Sequence, residues 1–173
     1  MIKTRTSIIT IKNNIVKKKF YNTLPKNERH RLGPRHCKCG SDIKILFQNE
    51  IDILKKLDKY DNFPKLLSFN CQDNSYTMTY CGDTLHNMKK NKKLKIPNNW
   101  EVQISNISKA LTDINIYNND ISYPNICILD DIIYIIDFGC CQPLDIKLKE
   151  NFDNRDNYKD LYQLFHNISN FSK

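Results

Sequence analysis

The stretch Asn-Asn-Asp-Ile-Ser-Tyr-Pro-Asn, residues 118–125, is followed by Ile-Asp-Phe-Gly at residues 136–139. Between them, two short apolar segments flank Asp130-Asp131, which predicts a tight hairpin. Because a hairpin returns the chain to its starting point, we expect Asp137 to lie beside Asp120 and Asn125. Carboxylate and amide oxygens gathered at one point can accept a proton and hold a divalent cation.

The bulk composition is that of an ordinary globular protein. The chain has 173 residues, of which 27% are charged and 40% hydrophobic, enough for one domain or two small lobes sharing a cleft. A net charge of +8 suits phosphate-rich ligands, acidic partners or nucleic acid. The sequence shows neither an apolar run of membrane-spanning length nor a signal-peptide core. We therefore expect an intracellular, cytoplasmic protein that does not bind membranes.

The seven cysteines are odd in number and scattered along the chain, so reduced thiols are expected. His36-Cys37-Lys38-Cys39, with His30 upstream, offers a conceivable zinc site. Its spacing matches no common zinc-finger pattern, and a metal there is the less favoured alternative.

Apolar periodicity divides the chain into strands and helices. A hairpin around Asn13-Asn14 is predicted first, followed by a basic loop over residues 22–42. The next helix is predicted over residues 43–58, capped by Ser41 or Asp42. The remaining predicted elements are strands at 66–70 and 75–80, a helical or loose basic segment at 84–95, and helices at 100–116 and 157–168.

The two polar motifs and this order of elements resemble the protein kinase-like superfamily. Asp120 and Asn125 have the D-x-x-x-x-N spacing of a kinase catalytic loop, and Asp137-Phe138-Gly139 supplies the Asp-Phe-Gly that follows it. The resemblance implies a single minimal α+β domain with a two-lobed kinase-like fold. It would have a reduced N-lobe sheet with helix C (about 1–80), a hinge (about 80–83) and a truncated helical C-lobe (about 84–173).

The resemblance also implies a catalytic centre for phosphoryl transfer. Asp120 would be the catalytic base, and Asn125 and Asp137 would hold Mg²⁺ against ATP. Asp160, or alternatively Asp156, would brace the catalytic loop from the last helix.

An ATP-positioning lysine is expected on the strand before helix C, paired with Glu50. Lys18 shares a strand face with Val16 and Phe20, which favours it over Lys17, the runner-up, and Lys19. The strand entering the hinge would supply the gatekeeper Met78 and backbone contacts to adenine from Thr79, Tyr80 and Cys81.

Several departures separate the chain from conventional kinases. No glycine-rich loop precedes the lysine strand, and too few residues precede Lys18 for the usual two strands plus that loop. No Ala-Pro-Glu follows Asp-Phe-Gly, so a conventional activation segment is absent. Asn118, Asn119 and Ser122 stand where His, Arg and Lys are usual. The loop is more similar to RIO-type atypical kinases, with the KEOPS-complex kinase another small relative. The Ile-, Asn- and Lys-rich composition and small size fit kinase-like proteins of giant viruses, which would act in the host cytoplasm.

The resulting hypothesis is an ATP- and Mg²⁺-dependent atypical Ser/Thr protein kinase with a protein substrate or regulatory protein partner. The alternative is a pseudokinase-type binding module with little or no transfer activity; a small-molecule kinase ranks third. Nucleic-acid binding through Arg29–Lys38 or Lys89–Lys95 is a separate hypothesis, which we rank below a solvated charged face.

Overall fold

The computed structural model describes residues 1–22, 42–144 and 156–171. The basic loop, including the conceivable zinc ligands and the Arg29–Lys38 stretch, lies outside the described residues. The fold is mixed α/β: an antiparallel five-stranded sheet, two small sheets and four helices within the described parts of the chain.

The main sheet contains β1 (Ile2–Lys3), β2 (Ser7–Lys12), β3 (Ile15–Phe20), β4 (Leu66–Asn70) and β5 (Ser75–Thr79). Its strand order is β1-β2-β3-β5-β4, with every neighbouring pair antiparallel. The predicted Asn13-Asn14 hairpin is confirmed: both residues have positive φ, 53° and 57°, which asparagine tolerates in tight hairpins.

Strand β1 was not predicted; with it, two strands precede the strand that carries Lys18. Thr4, Arg5 and Thr6 link β1 to β2, and the Thr4 hydroxyl and amide both bond to the Ser7 carbonyl. A two-residue strand is too short to show alternation, so the sequence gives no local signal for it. The linking turn contains no glycine.

Helix α1 (Ile43–Leu57) packs against the sheet through one apolar face. Its N-cap is Asp42, whose side chain accepts a hydrogen bond from the Lys44 amide at 2.9 Å. Phe47 meets Phe20 of β3 edge to face, with ring centroids 5.9 Å apart. Glu50 lies on the same buried face of the helix and is fully buried.

The second part of the chain surrounds the hairpin of β8 (Ile126–Leu129) and β9 (Ile132–Ile135). Asp130 and Asp131 form the predicted turn, with φ of 51° and 59°. The elements around this hairpin are β6 (Asp83–Thr84), α2 (Leu85–Lys90), α3 (Trp100–Asp113), β7 (Ile116–Asn118), β10 (Cys141–Pro143) and α4 (Asn157–Phe171).

The prediction that the central helix continues to Ile116 is wrong. Helix α3 ends at Asp113, and Asn115 takes a positive φ of 59°, after which Ile116 begins β7. Strand β7 pairs with β10, and β6 pairs with β8. Strands β6, β7 and β10 have two or three residues each and distant partners, so local periodicity could not predict them.

One apolar core joins the main sheet, through β3 and β5, to the four helices and to the hairpin of β8 and β9. Phe138 is 1% exposed and packs beside Phe63, with ring centroids 6.1 Å apart. Trp100 stacks on Phe165 of α4 at 5.8 Å, which joins α3 to α4. The core therefore buries the phenylalanine of Asp-Phe-Gly and leaves its aspartate at the boundary with solvent.

Gly82 occupies a position that no other residue can fill without strain. Its φ is +88°, and a Cβ atom added there would lie 2.1 Å from the backbone oxygen of Ile128. The segment after β5 therefore crosses the hairpin strand β8 at backbone contact distance.

We predict that Gly82→Ala lowers the free energy of unfolding by at least about 2 kcal/mol, from the left-handed φ and the backbone clash. For a chain of this size that corresponds to a fall in Tm of roughly 4–8 °C by thermal denaturation. Gly139→Ala is the control, because its added Cβ meets its nearest atoms at 3.6 Å. Equal Tm values for the two variants would contradict the close crossing.

Candidate active site

A buried ion pair joins the main sheet to α1. The Lys18 Nζ lies 2.7 Å from Glu50 Oε1, and the two side chains are 4% and 0% exposed. Burial alone would lower the pKa of Lys18, but the carboxylates of Asp137 and Glu50 raise it above its usual value, so the ammonium stays charged.

Strand alternation decides which of the three lysines reaches this position. Val16, Lys18 and Phe20 face the core, whereas Lys17 and Lys19 are exposed. Lys19 forms a surface ion pair with Asp73, at 3.4 Å. The geometry thus distinguishes Lys18 from its neighbours, as the shared face with Val16 and Phe20 predicted.

Glu50 receives hydrogen bonds from three directions. Besides Lys18, the Tyr76 hydroxyl donates to Oε2 at 3.0 Å, and the Phe138 backbone N–H donates to Oε1 at 3.0 Å. Burial raises the pKa of this carboxyl, while the Lys18 charge lowers it, and all three donors favour the ionised form. Sequence reasoning missed Tyr76, which is the Cα partner of Lys18 across β3 and β5.

Asp137 turns its side chain toward the same ion pair. Its φ of 65° is left-handed, a conformation that aspartate tolerates better than most residues, and its Oδ1 lies 3.2 Å from Lys18 Nζ. Burial alone would raise the pKa of Asp137, but the Lys18 charge and hydrogen bonds lower it to about 2. The side chain is 42% exposed, so an ionised carboxylate faces solvent here.

The loop between β7 and β8 holds Asp120 and Asn125 in fixed relation. Asn125 is buried, and its Nδ2 donates to the Asp120 backbone oxygen at 3.0 Å. Asp120 itself is exposed, and the Ser122 hydroxyl donates to its Oδ1 at 3.2 Å. A short 3₁₀ turn, Tyr123–Asn125, closes the loop and leads directly into β8.

Backbone contacts bring this loop beside Asp-Phe-Gly. The Ile136 N–H donates to the Asn125 carbonyl at 2.9 Å, directly before Asp137. On the other side, Asn119 Nδ2 donates to the Cys140 carbonyl at 3.1 Å. The structure therefore gathers Asp120, Asn125 and Asp137 around one region, next to the ion pair of Lys18.

The brace from the last helix is made mainly by an asparagine. Asn157 of α4 is 2% exposed; its Oδ1 accepts from the Asn118 N–H at 3.0 Å and its Nδ2 donates to the Ile116 carbonyl at 2.8 Å. Of the two expected aspartates, Asp160 accepts from the Tyr117 hydroxyl at 2.6 Å, whereas Asp156 bonds to the Lys159 amide at the start of α4. Helix α4 thus holds β7 through both residues.

Asn118 connects β7, which Asn157 holds, to the loop that carries Asp120. Its Oδ1 accepts from the Asp120 N–H at 2.9 Å, which fixes the backbone on which Asp120 stands. With the oxygen so engaged, the Asn118 Nδ2 is a buried donor without a partner among the described residues. An asparagine here therefore sets the backbone of the loop, while its NH2 group stays without a partner in the described part of the chain.

Few backbone N–H groups at the end of β5 remain available to bind a ligand. Met78 is buried, the Thr79 N–H donates to the Lys65 carbonyl, and the Tyr80 N–H donates to the Asn14 carbonyl, both at 3.0 Å. Among the described residues no partner is found for the Cys81 N–H. Burial raises the pKa of the Cys81 thiol to about 12, so it remains protonated.

No known family profile matches the sequence, and no curated protein is similar enough in sequence to match it. Solved structures do match. WbdD in complex with the kinase inhibitor LY294002 superposes with a TM-score of 0.62 at 17% identity, over 97% of this chain and 44% of that one. The bifunctional kinase–methyltransferase WbdD, in another structure, gives a TM-score of 0.57 at 18% identity, over 80% and 30%.

These similarities indicate a kinase-like fold. A further WbdD structure matches with a TM-score of 0.59 at 20% identity, over 80% of this chain and 31% of that one. The chain thus spans less than half the length of the structures it matches. At such identities the likeness concerns the fold alone, and no residue role is transferred by it.

Within the described residues, no helix combines the length and apolarity needed to cross a membrane. Nor do three or more His, Cys, Asp or Glu side chains in those same ranges form a cluster suited to a metal ion.

We predict that Lys18→Met lowers the free energy of unfolding by about 3 kcal/mol, because it leaves Glu50 buried without its cation. Urea denaturation would measure the loss. Lys17→Met and Lys19→Met are matched controls on the same strand, and their exposed side chains should change stability by no more than about 0.5 kcal/mol. Equal losses of stability at all three positions would show that the Lys18–Glu50 ion pair does not contribute to the free energy of unfolding.

We also predict that Asn157→Ala destabilises the protein by about 2–4 kcal/mol, since it leaves the Asn118 N–H and the Ile116 carbonyl unpaired. Asn167→Ala, at an exposed position of the same helix, controls for helix propensity. Hydrogen exchange at the Asn118 amide should accelerate in the first variant alone. An unchanged exchange rate there would exclude the brace.

Proposed function

We propose that the protein is an ATP- and Mg²⁺-dependent phosphotransferase, acting as an atypical Ser/Thr protein kinase. The observation that carries the proposal is the convergence of Asp137, Asn125 and Asp120 beside the buried Lys18–Glu50 pair. The kinase-like fold supports it, as does the kinase inhibitor bound in one of the similar structures. In this proposal residues 80–83 form the hinge between two lobes.

The donor groups suit magnesium. Asp137 is ionised and partly exposed, and Asn125 donates through Nδ2, which leaves its Oδ1 for a cation. Mg²⁺ prefers such oxygen ligands and commonly takes only one or two from the protein, with the rest from phosphates and water. When bound, the ion would neutralise charge on the phosphates.

Lys18 and the strand end would position the nucleotide. The Lys18 ammonium is held by Glu50 and Asp137, so it would meet an anionic phosphate without reorganising. At the hinge the Cys81 N–H is the backbone donor left for adenine, because the amides of Thr79 and Tyr80 are already bonded within the protein. Adenine recognition would therefore rest on Cys81 and on neighbouring carbonyls, beside the buried Met78.

Asp120 would act on the acceptor hydroxyl. The hydroxyl oxygen forms a bond to the γ-phosphorus, and the bond from that phosphorus to the β–γ bridging oxygen breaks, with its electron pair leaving on ADP. The hydroxyl proton goes to the Asp120 carboxylate. Asp120 is exposed and its backbone is held by Asn118 and Asn125, which fits a base that must reach an incoming substrate.

A binding module with little transfer activity is the second candidate. The observation that favours it is the Thr4–Thr6 turn between β1 and β2, which has no glycine to approach phosphates closely. Such a module would keep the fold and the ion pair while holding nucleotide weakly or not at all.

We predict that Asp120→Asn lowers kcat for Mg·ATP-dependent transfer to a generic protein substrate by at least about 100-fold. Asp137→Asn should abolish Mg²⁺-dependent transfer while preserving the fold, because asparagine tolerates its left-handed φ. The measurement is transfer of labelled γ-phosphate, with circular dichroism to verify folding.

Asp130→Asn, at the exposed hairpin turn, is the matched control and should keep full activity. Transfer retained in both Asp120→Asn and Asp137→Asn would refute the assignment. Absence of transfer in the wild type, with no thermal stabilisation by millimolar Mg·ATP, would instead favour the binding module.

A further inference from the structure

A compact cluster of positive charge follows α2. Residues 89–95, here called the basic segment, contain five lysines, all exposed: Lys89, Lys90, Lys92, Lys93 and Lys95. Backbone hydrogen bonds fold the segment tightly: the Lys93 N–H donates to the Met88 carbonyl at 2.8 Å and the Lys92 N–H to the Lys89 carbonyl at 3.1 Å. The lysines are therefore presented from an ordered turn.

The basic segment lies against the loop that carries Asp120. Lys89 Nζ sits over the ring of Tyr123, 5.2 Å from its centroid, and Tyr123 belongs to that loop. Helix α2 is fixed there at its other end too, because Thr84 caps it and also pairs with Cys127 of β8. A substrate hydroxyl at Asp120 would thus have its flanking residues close to these lysines.

Among the described residues, the positive charge of the segment is largely uncompensated. Lys95 lies 4.0 Å from Asp131, but both side chains are well exposed, which makes a weak pair. Within residues 1–22, 42–144 and 156–171, no carboxylate comes within ion-pair distance of Lys90, Lys92 or Lys93. An anionic partner would relieve the repulsion among these neighbouring ammonium groups.

The segment supplies charge without surfaces for base stacking. Residues 85–99 contain no Phe, Tyr or Trp, the exposed His86 lies outside the basic segment, and the ring of Tyr123 already lies under Lys89. Single-stranded nucleic acids bind through open aromatic faces together with positive charge. The composition therefore favours an acidic polypeptide over RNA or DNA.

We propose that the basic segment is the acceptor-recognition surface, and that it binds acidic side chains flanking the target Ser or Thr of a protein substrate. This proposal rests on the phosphotransferase function proposed above. Lys90, Lys92 and Lys93 are the specificity-determining residues. They act on binding of the acceptor, whereas Asp120 acts on its hydroxyl.

The test uses the full-length protein and two peptides of equal length, each with one target Ser. In the first peptide, Asp and Glu flank the Ser on both sides. In the second, the flanking residues are neutral: Gly, Gln and Ala. The wild type should prefer the acidic peptide through a lower KM. In the triple variant Lys90→Gln/Lys92→Gln/Lys93→Gln, that preference in kcat/KM should fall about tenfold, because three exposed charge pairs are lost.

The control variant is Lys12→Gln/Lys44→Gln/Lys56→Gln, which removes the same charge from exposed positions on β2 and α1. It should keep the acidic preference. An equal fall in both variants would assign the effect to net charge and overturn the proposal, as would a wild type with no preference between the peptides.

Direct binding separates this proposal from the phosphotransferase function. Fluorescence anisotropy of the acidic peptide, with Ala in place of its Ser, should show weaker binding to the triple variant and unchanged binding to the Lys12→Gln/Lys44→Gln/Lys56→Gln control. If no peptide is phosphorylated but lysine-dependent binding of the acidic peptide is found, the transferase function is refuted and the acidic-peptide surface is supported. If transfer occurs but lysine-dependent binding is absent, only the proposed recognition surface is refuted. Stronger lysine-dependent binding of single-stranded RNA than of the acidic peptide would also overturn the proposal.

Discussion

The rest of the structure depends on one buried carboxylate. Glu50 is fully buried, and it accepts hydrogen bonds from Lys18 of β3, Tyr76 of β5 and the backbone of Phe138. A buried charge is tolerated only when it is paired and hydrogen-bonded, so each of these donors is a structural requirement. The sheet, α1 and the Asp-Phe-Gly segment therefore have to meet in one arrangement, and that arrangement places Asp137 beside Lys18.

The loop that carries Asp120 is held by a second, mostly neutral set of bonds. Asn157 fixes the backbone of β7, Asn118 fixes the Asp120 amide, and Asn125 fixes the Asp120 carbonyl. Amide side chains both donate and accept, so each can satisfy backbone groups without adding charge to a region that already holds two carboxylates. The loop position is thus set by hydrogen bonds, and the site charge is left to Asp120, Asp137 and Lys18.

The elements that the sequence predicted correctly are those whose structure depends on residues close by in the chain. Asn-Asn and Asp-Asp turns, strand alternation around Lys18 and the periodicity of α1 all depend on neighbouring residues, and the structure has those elements. Strands β1, β6, β7 and β10 depend on distant partners and are too short for a pattern, so they were missed. The roles of Tyr76 and Asn157 were also missed, because neither residue type indicates in sequence which distant group it bonds to. An aspartate was expected to brace the loop, whereas the amide of Asn157 makes two of the hydrogen bonds to β7.

The position of Glu50 along the chain also governs when the site can form. Its bonds reach residues 26, 32 and 88 positions away, and closing such loops costs chain entropy before any contact is gained. During synthesis, α1 would be complete while its carboxylate still lacked the Phe138 amide. The ion pair can assemble first with β3 and β5, but the last donor arrives only after Phe138 has left the ribosome. Folding of the site is therefore a late event, completed by the same segment that carries Asp137.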